Sequence, residues 1–446
     1  MRPIRSTLWI ILAVLSLTWV IANLPFPETL TVITLRNLLV QYSGVLSIGA
    51  MSVAMILAMR LPVLENWLNG LDKSYRLHKW LGIAALITAI AHWVAVNGPK
   101  WAMSLGLMDA PNRQRPTGAM PELGTIETFL RSLRDPAEGL GEKAFYLAAL
   151  LIAIALIRRV PYRLFAKTHT LIAVAYLVLV FHSIVLIDFD AWTQPVGLIT
   201  ALLMAGGVMA AVFTLTRQIG RRRKVPGTIT GLRQFPSMKV TEAEVTVAPR
   251  WPGHDAGQFA FVTFDRKEGA HPFTIASAWD ANTCAITFIS KALGDYTDRL
   301  PQALAVGGEV TVEGPYGRFT FDDDKARQIW IGAGIGITPF IARLKHLATA
   351  PDGKKIDLIH CVPEIAPQPQ ALLEADATAA GAALHLMRDT EDGLLTGARL
   401  REMMPDWSNA SIWFCGPAAF GTALRRDLVA HGLRPTDFHQ ELFNMR

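Results

Sequence analysis

Hydrophobic positions in the first half of the chain form long runs without charge. Most runs are close to the roughly 20 residues that a helix needs to cross a bilayer, and the apolar stem of Lys143 can lengthen the short fourth run. The pattern therefore predicts a membrane α-helical bundle of six helices. Arg2 and Arg5 are also typical of a signal peptide, but residues 21–23 are a poor cleavage site, which favours an uncleaved first helix. The runs cover residues 8–24, 38–59, 80–96, 144–157, 170–187 and 191–216.

The pattern changes after the basic run 221–224, where short stretches of alternating apolar and polar residues are separated by turn residues. Alternation with a period of two is typical of strands, so this region predicts a small antiparallel β-barrel. From Arg327 onward, the order strand, turn, helix, strand predicts a parallel α/β domain. We expect domains over 1–220, 225–324 and 325–446. The barrel strands are expected at Lys239–Ala248, Gln258–Phe264, His271–Ser277, Cys284–Ser290 and Glu309–Val312.

Composition agrees with this division. Of the 446 residues, 18% are charged, against about 25% in an ordinary soluble protein. This deficit excludes a wholly soluble enzyme, a disordered chain and a collagen-like repeat. The three cysteines (Cys284, Cys361 and Cys415) are too few for a disulfide framework or a four-thiolate iron–sulfur cluster.

Basic residues gather at the ends of the apolar runs, so the net charge of +6 indicates membrane topology and a lipid partner, not nucleic acid. If the N-terminus is cytoplasmic, that side receives most of the Lys and Arg residues that flank the helices. Only Glu65 and Asp72 oppose them there. We therefore expect an integral protein of the inner or plasma membrane, with both termini in the cytoplasm.

Four histidines lie in two of the predicted helices. His78 and His92 are 14 residues apart in the third helix, and His169 and His182 are 13 apart in the fifth. Both separations are about 20 Å along a helix axis, and the two helices run in the same direction. His78 should therefore face His169 near the cytoplasmic side, and His92 should face His182 near the outside. Imidazole is a common axial ligand of haem iron, so the pairs predict two haem sites.

Two points stay open for these histidines. The alternative to a role as haem ligands is that His78 and His169 are residues of the membrane interface. In addition, a spacing of 13 residues in an ideal helix places His182 about 140° around the helix axis from His169. A local bulge or a differently rotated second haem would be required to accommodate this difference.

A glycine-rich turn follows a predicted strand at residues 329–331. Gly332, Gly334 and Gly336 allow a tight turn, and we expect Thr338 to cap the next helix with Pro339 at its first position. Backbone amides in such a turn can approach the pyrophosphate of a dinucleotide.

Several short motifs then point to one family. The strand His271-Pro272-Phe273-Thr274, followed by Ser277, resembles the flavin-binding strand of the NADPH oxidase and ferric reductase superfamily. Two further motifs resemble signatures of the ferredoxin-reductase-type flavin fold: Gly294-Asp295-Tyr296-Thr297 and Glu313–Gly317. Two others resemble the nicotinamide motifs of that fold: Gly332–Pro339 and Phe414-Cys415-Gly416-Pro417. The histidine spacing is also similar to that superfamily, so the resemblance covers nearly the whole chain except residues 98–140.

This resemblance implies roles for individual residues. Thr274 fits the polar edge of FAD, and Lys291 with the amides of 294–297 fits its pyrophosphate. Cys415 would lie beside the nicotinamide, with a buried structural thiol as the alternative. Phe443 resembles the C-terminal aromatic that covers the flavin, and Arg36 resembles an arginine beside the outer haem.

The sequence departs from the family pattern at two places. Pro363 stands where NADPH oxidases have a Cys-Arg-Asp segment for the 2′-phosphate, so the donor is NADPH or NADH, with Arg388 as a possible substitute contact. Val96 stands where the oxidases have an additional histidine after the outer ligand, so this part of the oxidases' oxygen-reduction pocket is not found in the sequence.

The resemblance implies an NAD(P)H oxidase or ferric-reductase-like enzyme. Hydride would pass from the nicotinamide to FAD, and single electrons would cross the membrane through two b-type haems. The acceptor outside would be dioxygen, giving superoxide, with a ferric chelate or a redox partner as alternatives. A different class of function is a membrane-anchored flavin reductase without haem.

Overall fold

The computed structural model describes residues 2–108, 124–157, 159–294 and 296–441. The described residues fall into two compact units. One is drawn from 1–64 and 74–219, and the other from 65–73 and 220–445.

The first unit is helical. Among the described residues, six helices (α1, α2, α4, α6, α7 and α8) are long and apolar enough to cross a membrane, which confirms the predicted six-helix bundle. The protein is therefore an integral membrane protein. The helices of this half of the chain are α1 (Arg2–Ala22), α2 (Val32–Leu57), α3 (Pro62–Leu68), α4 (Leu71–Ser104), α5 (Thr125–Ser132), α6 (Arg134–Leu156), α7 (Tyr162–Leu186) and α8 (Pro195–Leu215). Residues 65–73, at the end of α3 and the start of α4, belong to the second unit.

A buried polar contact holds three of these helices together. The Tyr176 hydroxyl on α7 lies 2.8 Å from Ser52 Oγ on α2 and donates to the Met204 carbonyl on α8. Gly207 on α8 makes room for the phenol, because a Cβ atom there would overlap it. A satisfied hydrogen bond at this depth fixes the rotation of α7, which carries two of the four histidines.

The second unit begins with a six-stranded antiparallel sheet in the order β4-β3-β6-β1-β2-β5. A bridge between Ile275 and Phe288 joins its two edges, and inward apolar side chains form one core. The predicted barrel is confirmed, but the sequence interpretation missed β1, which lies between β2 and β6. The elements are β1 (Lys224–Phe235), β2 (Val240–Val247), β3 (Phe259–Thr263), β4 (His271–Thr274), β5 (Ala285–Lys291), α9 (Leu300–Ala303) and β6 (Glu309–Tyr316).

A five-stranded parallel sheet follows, in the order β11-β10-β7-β8-β9. Its strands are buried on both faces, as expected for a parallel sheet covered by helices. The predicted α/β domain is therefore confirmed. The elements are β7 (Arg327–Ala333), α10 (Thr338–Thr349), β8 (Lys355–Val362), α11 (Pro367–Ala379), β9 (Ala383–Arg388), α12 (Asp389–Asp392), α13 (Gly397–Met403), β10 (Ser411–Cys415), α14 (Ala418–Ala430) and β11 (Phe438–Gln440).

One carboxylate ties the parallel sheet together. Asp323 accepts hydrogen bonds from Lys354 Nζ at 2.7 Å, Ser411 Oγ at 2.6 Å and Trp413 Nε1 at 3.0 Å. Burial by itself raises the pKa of Asp323, but these bonds outweigh burial and lower the pKa to about 2. The carboxylate is thus charged at neutral pH and joins the chain before β7 to β10 and to the start of β8.

Candidate functional site

The four histidines form two pairs between α4 and α7. The ring centres of His78 and His169 are 5.7 Å apart, and those of His92 and His182 are 6.3 Å apart. Each pair therefore brings two imidazoles close enough to ligate one metal ion between them.

Three of the imidazoles are oriented by backbone carbonyls. His78 Nδ1 lies 2.8 Å from Ala54 O and His92 Nδ1 lies 2.9 Å from Val40 O, both on α2. His182 Nδ1 lies 2.8 Å from Ala137 O on α6. A carbonyl only accepts, so each Nδ1 donates, and Nε2 keeps its lone pair for a metal.

His169 is oriented differently. Its ring stacks on Phe165 with 5.0 Å between ring centres, and none of the described residues offers a hydrogen-bond partner to its buried Nδ1. Its orientation therefore depends on packing against Phe165 and on the partner imidazole of His78.

The 13-residue spacing on α7 does not involve a bulge, because α7 is continuous α-helix from Tyr162 to Leu186. The side chain of His182 instead points to α6, where Gly141 leaves room for it: a Cβ atom at Gly141 would overlap the imidazole. Gly44 on α2 plays a smaller part for His92, whose ring would lie 3.4 Å from a Cβ there.

Arg36 lies near the start of α2, and its Nη1 donates to Asn37 Oδ1 at 3.1 Å. The structure thus gives Arg36 a neighbour on its own helix, and its expected role beside a haem stays a prediction.

The predicted flavin strand is β4, paired with β3. Phe273 points into the barrel core and Thr274 is buried at the end of the strand. The His271 ring stacks on Tyr296 with centres 4.1 Å apart, so the first and second flavin motifs are neighbours. Burial raises the pKa of Tyr296 to about 12. Ser277 Oγ accepts from the Thr287 amide and so anchors the chain after β4.

The turn after β5 is closed by Thr297. Its hydroxyl accepts from the Leu293 amide at 2.9 Å and donates to the Gly294 carbonyl at 3.2 Å. Lys291 ends β5 immediately before this turn. None of the described atoms lies within 4 Å of a Cβ built on Gly294, so the backbone there is open to a ligand. Asp295 lies outside the described residues.

The third flavin motif has a partner that the sequence interpretation missed. Residues 65–73 belong to the second unit, and there Glu65 Oε1 accepts from the Gly317 amide at 2.7 Å. Burial raises the pKa of Glu65. No local pattern around Glu65 indicates this contact, because it joins segments 252 residues apart.

The two nicotinamide motifs lie side by side, at the carboxyl ends of the adjacent strands β7 and β10. Gly332 pairs with Cys415 in the sheet. A side chain at Gly336 would overlap the backbone of Cys415 and Gly416, so this glycine is required for the close approach of the two loops. This edge of a parallel sheet is where dinucleotides bind in α/β folds.

One detail of the glycine-rich turn differs from the prediction. Thr338 does not cap α10: it is the first residue of the helix, and its hydroxyl donates to Ile335 O at 2.8 Å. The capping position is Ile337, because a 3₁₀ turn at Gly334–Ile337 runs directly into α10. Pro339 lies in the first turn of α10, where its missing N–H costs nothing.

Cys415 is fully buried and packs with the core on the α10 side of the sheet. Burial, together with the nearby Glu441 carboxyl, raises the pKa of Cys415 well above its usual value, so the group is a thiol. Glu441 is a second residue that the sequence interpretation missed. It is also buried, which raises its pKa, and among the described residues its Oε2 has no hydrogen-bond partner. Phe443 lies outside the described residues.

Arg388 ends β9, and its guanidinium is shared between Gln370 and Glu391. Nη2 donates to Gln370 Oε1 at 3.1 Å, and Nη1 lies 3.6 Å from Glu391. Pro363 follows β8, and its carbonyl accepts from the Thr390 hydroxyl. Arg388 therefore lies at the expected edge of the sheet, but is engaged by neighbours.

Comparison with known proteins relates a segment of the helical part to one family and parts of the chain to curated proteins. Residues 43–180 match the family described as ferric reductase like transmembrane component. The flavohemoprotein of Pseudomonas aeruginosa is 25% identical over 203 residues, which are 40% of this chain and 48% of that protein. Respiratory burst oxidase homolog protein E of Arabidopsis thaliana is 28% identical over 221 residues, which are 43% of this chain and 22% of that protein.

Among solved structures, the flavohemoglobin from Malassezia yamatoensis is 18% identical, with a TM-score of 0.48 over 92% of this chain and 98% of that one. The chain spans less than half the length of the two curated relatives described above. The transmembrane part of the chain is thus similar to ferric reductases, and parts of the chain are similar to a flavohemoprotein and to a respiratory burst oxidase homolog.

Proposed function

We propose that the protein is an NAD(P)H-dependent oxidoreductase that transfers electrons from the cytoplasm across the membrane to an acceptor outside. The observation that carries this proposal is the spacing of the two histidine pairs, at 5.7 and 6.3 Å between ring centres, on two helices of a bundle similar to ferric reductases. An anchor for a flavin reductase requires neither six helices nor paired imidazoles.

The four histidines fit two haem groups. Three Nδ1 atoms donate to backbone carbonyls, which leaves each Nε2 for a metal, and the ring centres of the two pairs lie 5.7 and 6.3 Å apart. We assign the first b-type haem to His78 and His169, and the second to His92 and His182. Bound haem would supply one-electron carriers at two depths in the membrane.

The barrel fits FAD. We assign its flavin edge to Pro272, Phe273 and Thr274 with Ser277 behind them, and its pyrophosphate to Lys291 and the open turn at Gly294. Asp295, Tyr296 and Thr297 complete the proposed pyrophosphate site. Bound FAD would supply the exchange between a hydride donor and one-electron carriers.

The nicotinamide nucleotide is assigned to the adjacent loops after β7 and β10. Gly332, Gly334 and Gly336 allow close approach to its phosphates, and Thr338 and Pro339 begin the helix whose N-terminus favours negative charge. Gly416 and Pro417 would face the nicotinamide end, with Cys415 buried directly before them at the end of β10.

For the acceptor we propose dioxygen, reduced to superoxide. Similarity to a respiratory burst oxidase homolog supports this choice. The match to the ferric reductase like family supports a ferric chelate as the second candidate. The distribution of Lys and Arg supports an inner or plasma membrane location with both termini cytoplasmic.

A spectrum and an acceptor assay test the proposal. Dithionite reduction of the purified protein, expressed with added haem, should give b-type haem bands, and NADH or NADPH should produce the same bands without oxygen. In vesicles, dye reduction sensitive to superoxide dismutase identifies dioxygen as the acceptor, and formation of a ferrous chelate identifies iron. A protein that reduces flavin but never contains haem would overturn the proposal in favour of an anchored flavin reductase.

A further inference from the structure

Four aromatic rings form a cluster between α4 and α6. The Trp93 ring centre lies 5.0 Å from that of Trp101 on α4. It lies 6.0 Å from the ring centre of Phe145 and 6.2 Å from that of Tyr146, both on α6. Trp101 and Tyr146 are 42% and 48% exposed although both lie in candidate membrane spans. This aromatic cluster is therefore open to molecules dissolved in the bilayer.

A chain of hydrogen bonds leads from the aromatic cluster to a carboxylate. Trp93 Nε1 donates to the Tyr146 hydroxyl oxygen at 3.1 Å, and the Tyr146 hydroxyl donates to Glu142 Oε1 at 2.9 Å. Glu142 is exposed and lies within the candidate membrane span Arg134–Leu156. Tryptophan and tyrosine are common at membrane interfaces, but that preference does not account for a carboxylate held by a phenol. Acidic groups at membrane depth instead mark proton or substrate pathways.

Both ends of this chain of hydrogen bonds are close to the His92–His182 pair. Trp93 directly follows His92, so their Cα atoms are about 3.8 Å apart. Glu142 directly follows Gly141, which leaves room for the His182 ring. Successive side chains on a helix point about 100° apart, so Trp93 and Glu142 lie beside the histidine pair, not between its rings. A molecule docked on the aromatic cluster would therefore be next to the electron carrier assigned to that pair.

A quinone matches these features. Its flat ring suits contact with aromatic faces, its carbonyl oxygens accept hydrogen bonds from a hydroxyl such as that of Tyr146, and its apolar tail dissolves in the bilayer. Reduction of a quinone takes two electrons and two protons, and each C=O group becomes C–OH. The electrons would arrive one at a time from oxidation of NAD(P)H. The protons would come from water, through Glu142 and then Tyr146.

We propose that the aromatic cluster is the docking site of a membrane quinone, which Tyr146 binds through a hydrogen bond and to which Glu142 supplies protons as the quinone is reduced to the quinol. The proposal rests on the proposed function for its electrons, and it adds a lipid-soluble class of acceptor. Quinone binding itself requires no electron transfer, so binding and reduction are tested separately.

The binding test uses an azido-quinone photolabel with the full-length protein in phosphatidylcholine vesicles, followed by mass spectrometry of the labelled peptides. We expect label on the peptides that carry Trp93 and Tyr146, and protection by an excess of decylubiquinone. Tyr146→Phe keeps the ring but removes the hydroxyl, so protection should require about fivefold more decylubiquinone, which corresponds to about 1 kcal/mol. Should that variant misfold, Phe145→Leu removes an aromatic face of the cluster and must weaken protection in the same direction.

One result of the binding test would overturn the proposal. If decylubiquinone gives no protection, or if all six membrane helices are labelled equally, the aromatic cluster contacts bulk lipid only.

The reduction test follows re-oxidation of the haem in stopped-flow experiments without oxygen, after NADH has reduced the protein and decylubiquinone is added. Glu142→Gln keeps an acceptor for Tyr146 but cannot supply a proton in the same way. It should therefore bind decylubiquinone within twofold of the wild type and slow re-oxidation about tenfold. Glu138→Gln is the matched control, because Glu138 lies one turn earlier on α6 and pairs with Arg134 at 2.9 Å. A ferric chelate added in water should re-oxidise both variants at the wild-type rate.

Equal rates of re-oxidation by decylubiquinone in Glu142→Gln and Glu138→Gln would overturn the proposal. A wild type that is labelled and protected at the aromatic cluster but contains no haem supports the quinone site and refutes the proposed function alone.

Discussion

Gly141 on α6 leaves room for the His182 imidazole, and a single methyl group there should disrupt one metal site. A Cβ atom at Gly141 would overlap the ring, so Gly141→Ala must displace it from its hydrogen bond with Ala137 O. Gly139 lies on the same helix, and none of the described atoms lies within 4 Å of a Cβ built there. Gly139→Ala is therefore a matched control.

The magnitude follows from two terms. Loss of the hydrogen bond that orients His182 costs about 1 kcal/mol. Overpacking of a tight helix interface costs about 1–3 kcal/mol. Together they weaken binding at the His92–His182 site by about 30-fold to several hundred-fold, since 1.4 kcal/mol is a factor of ten. Gly139→Ala should instead stabilise α6 by about 0.5–1 kcal/mol, because alanine favours the helix.

The assay is the ratio of haem to flavin in purified protein, from the dithionite-reduced spectrum and the FAD released on denaturation. Gly141→Ala should lower the ratio by about half, because the His78–His169 site is untouched, and Gly139→Ala should leave it unchanged. NADH should still reduce the remaining haem. Equal ratios in the two variants would refute the reasoning from His182.

Three other predictions concern separate parts of the molecule. Asp323→Asn should lower the free energy of unfolding by about 2 kcal/mol at pH 7, because the pKa of Asp323 is lower in the folded than in the unfolded state. In denaturant titrations, the difference in unfolding free energy from the wild type should shrink as pH falls from about 4 toward 2. A difference that does not change with pH would exclude the charge as the cause. Arg36→Ala should slow acceptor reduction and shift the potential of the haem that we propose at His92 and His182, while flavin reduction continues; an unchanged potential would mean that Arg36 contacts only lipid. Phe443→Ala should retain FAD but accelerate flavin reduction by NADH more than by NADPH in stopped-flow experiments, because the family resemblance implies an aromatic ring over the flavin that would have to move before the nicotinamide enters; an unchanged rate ratio would remove Phe443 from that role.

Elements with a strong local pattern were predictable. The six membrane helices follow from long uncharged runs, because a bilayer requires an apolar segment of defined length whatever its neighbours are. Five barrel strands and the start of the parallel domain follow from alternation and turn residues. β1 was missed because its basic residues, Pro226 and Gly227 are typical of a linker, and only its pairing with β2 and β6 makes it a strand.

The candidate functional residues also divide into features that a local pattern predicts and features that only the structure shows. Histidine spacing predicted which imidazoles form pairs, but the orientation of His182 toward α6 depends on the space at Gly141, which no spacing rule contains. Thr338 is a residue type that often caps helices, yet the 3₁₀ turn before it makes Ile337 the capping residue.

Glu65 and Glu441 carry no local signal at all. Their significance comes from contacts with, or burial by, distant segments: Glu65 accepts from Gly317, and Glu441 is buried near the Cys415 thiol. Sequence by itself determined the type and order of the membrane helices and of five barrel strands, because these depend on interactions between near neighbours in the chain. The partners of buried polar groups were decided only by the tertiary structure, because burial and hydrogen bonding depend on which distant segments fold against them.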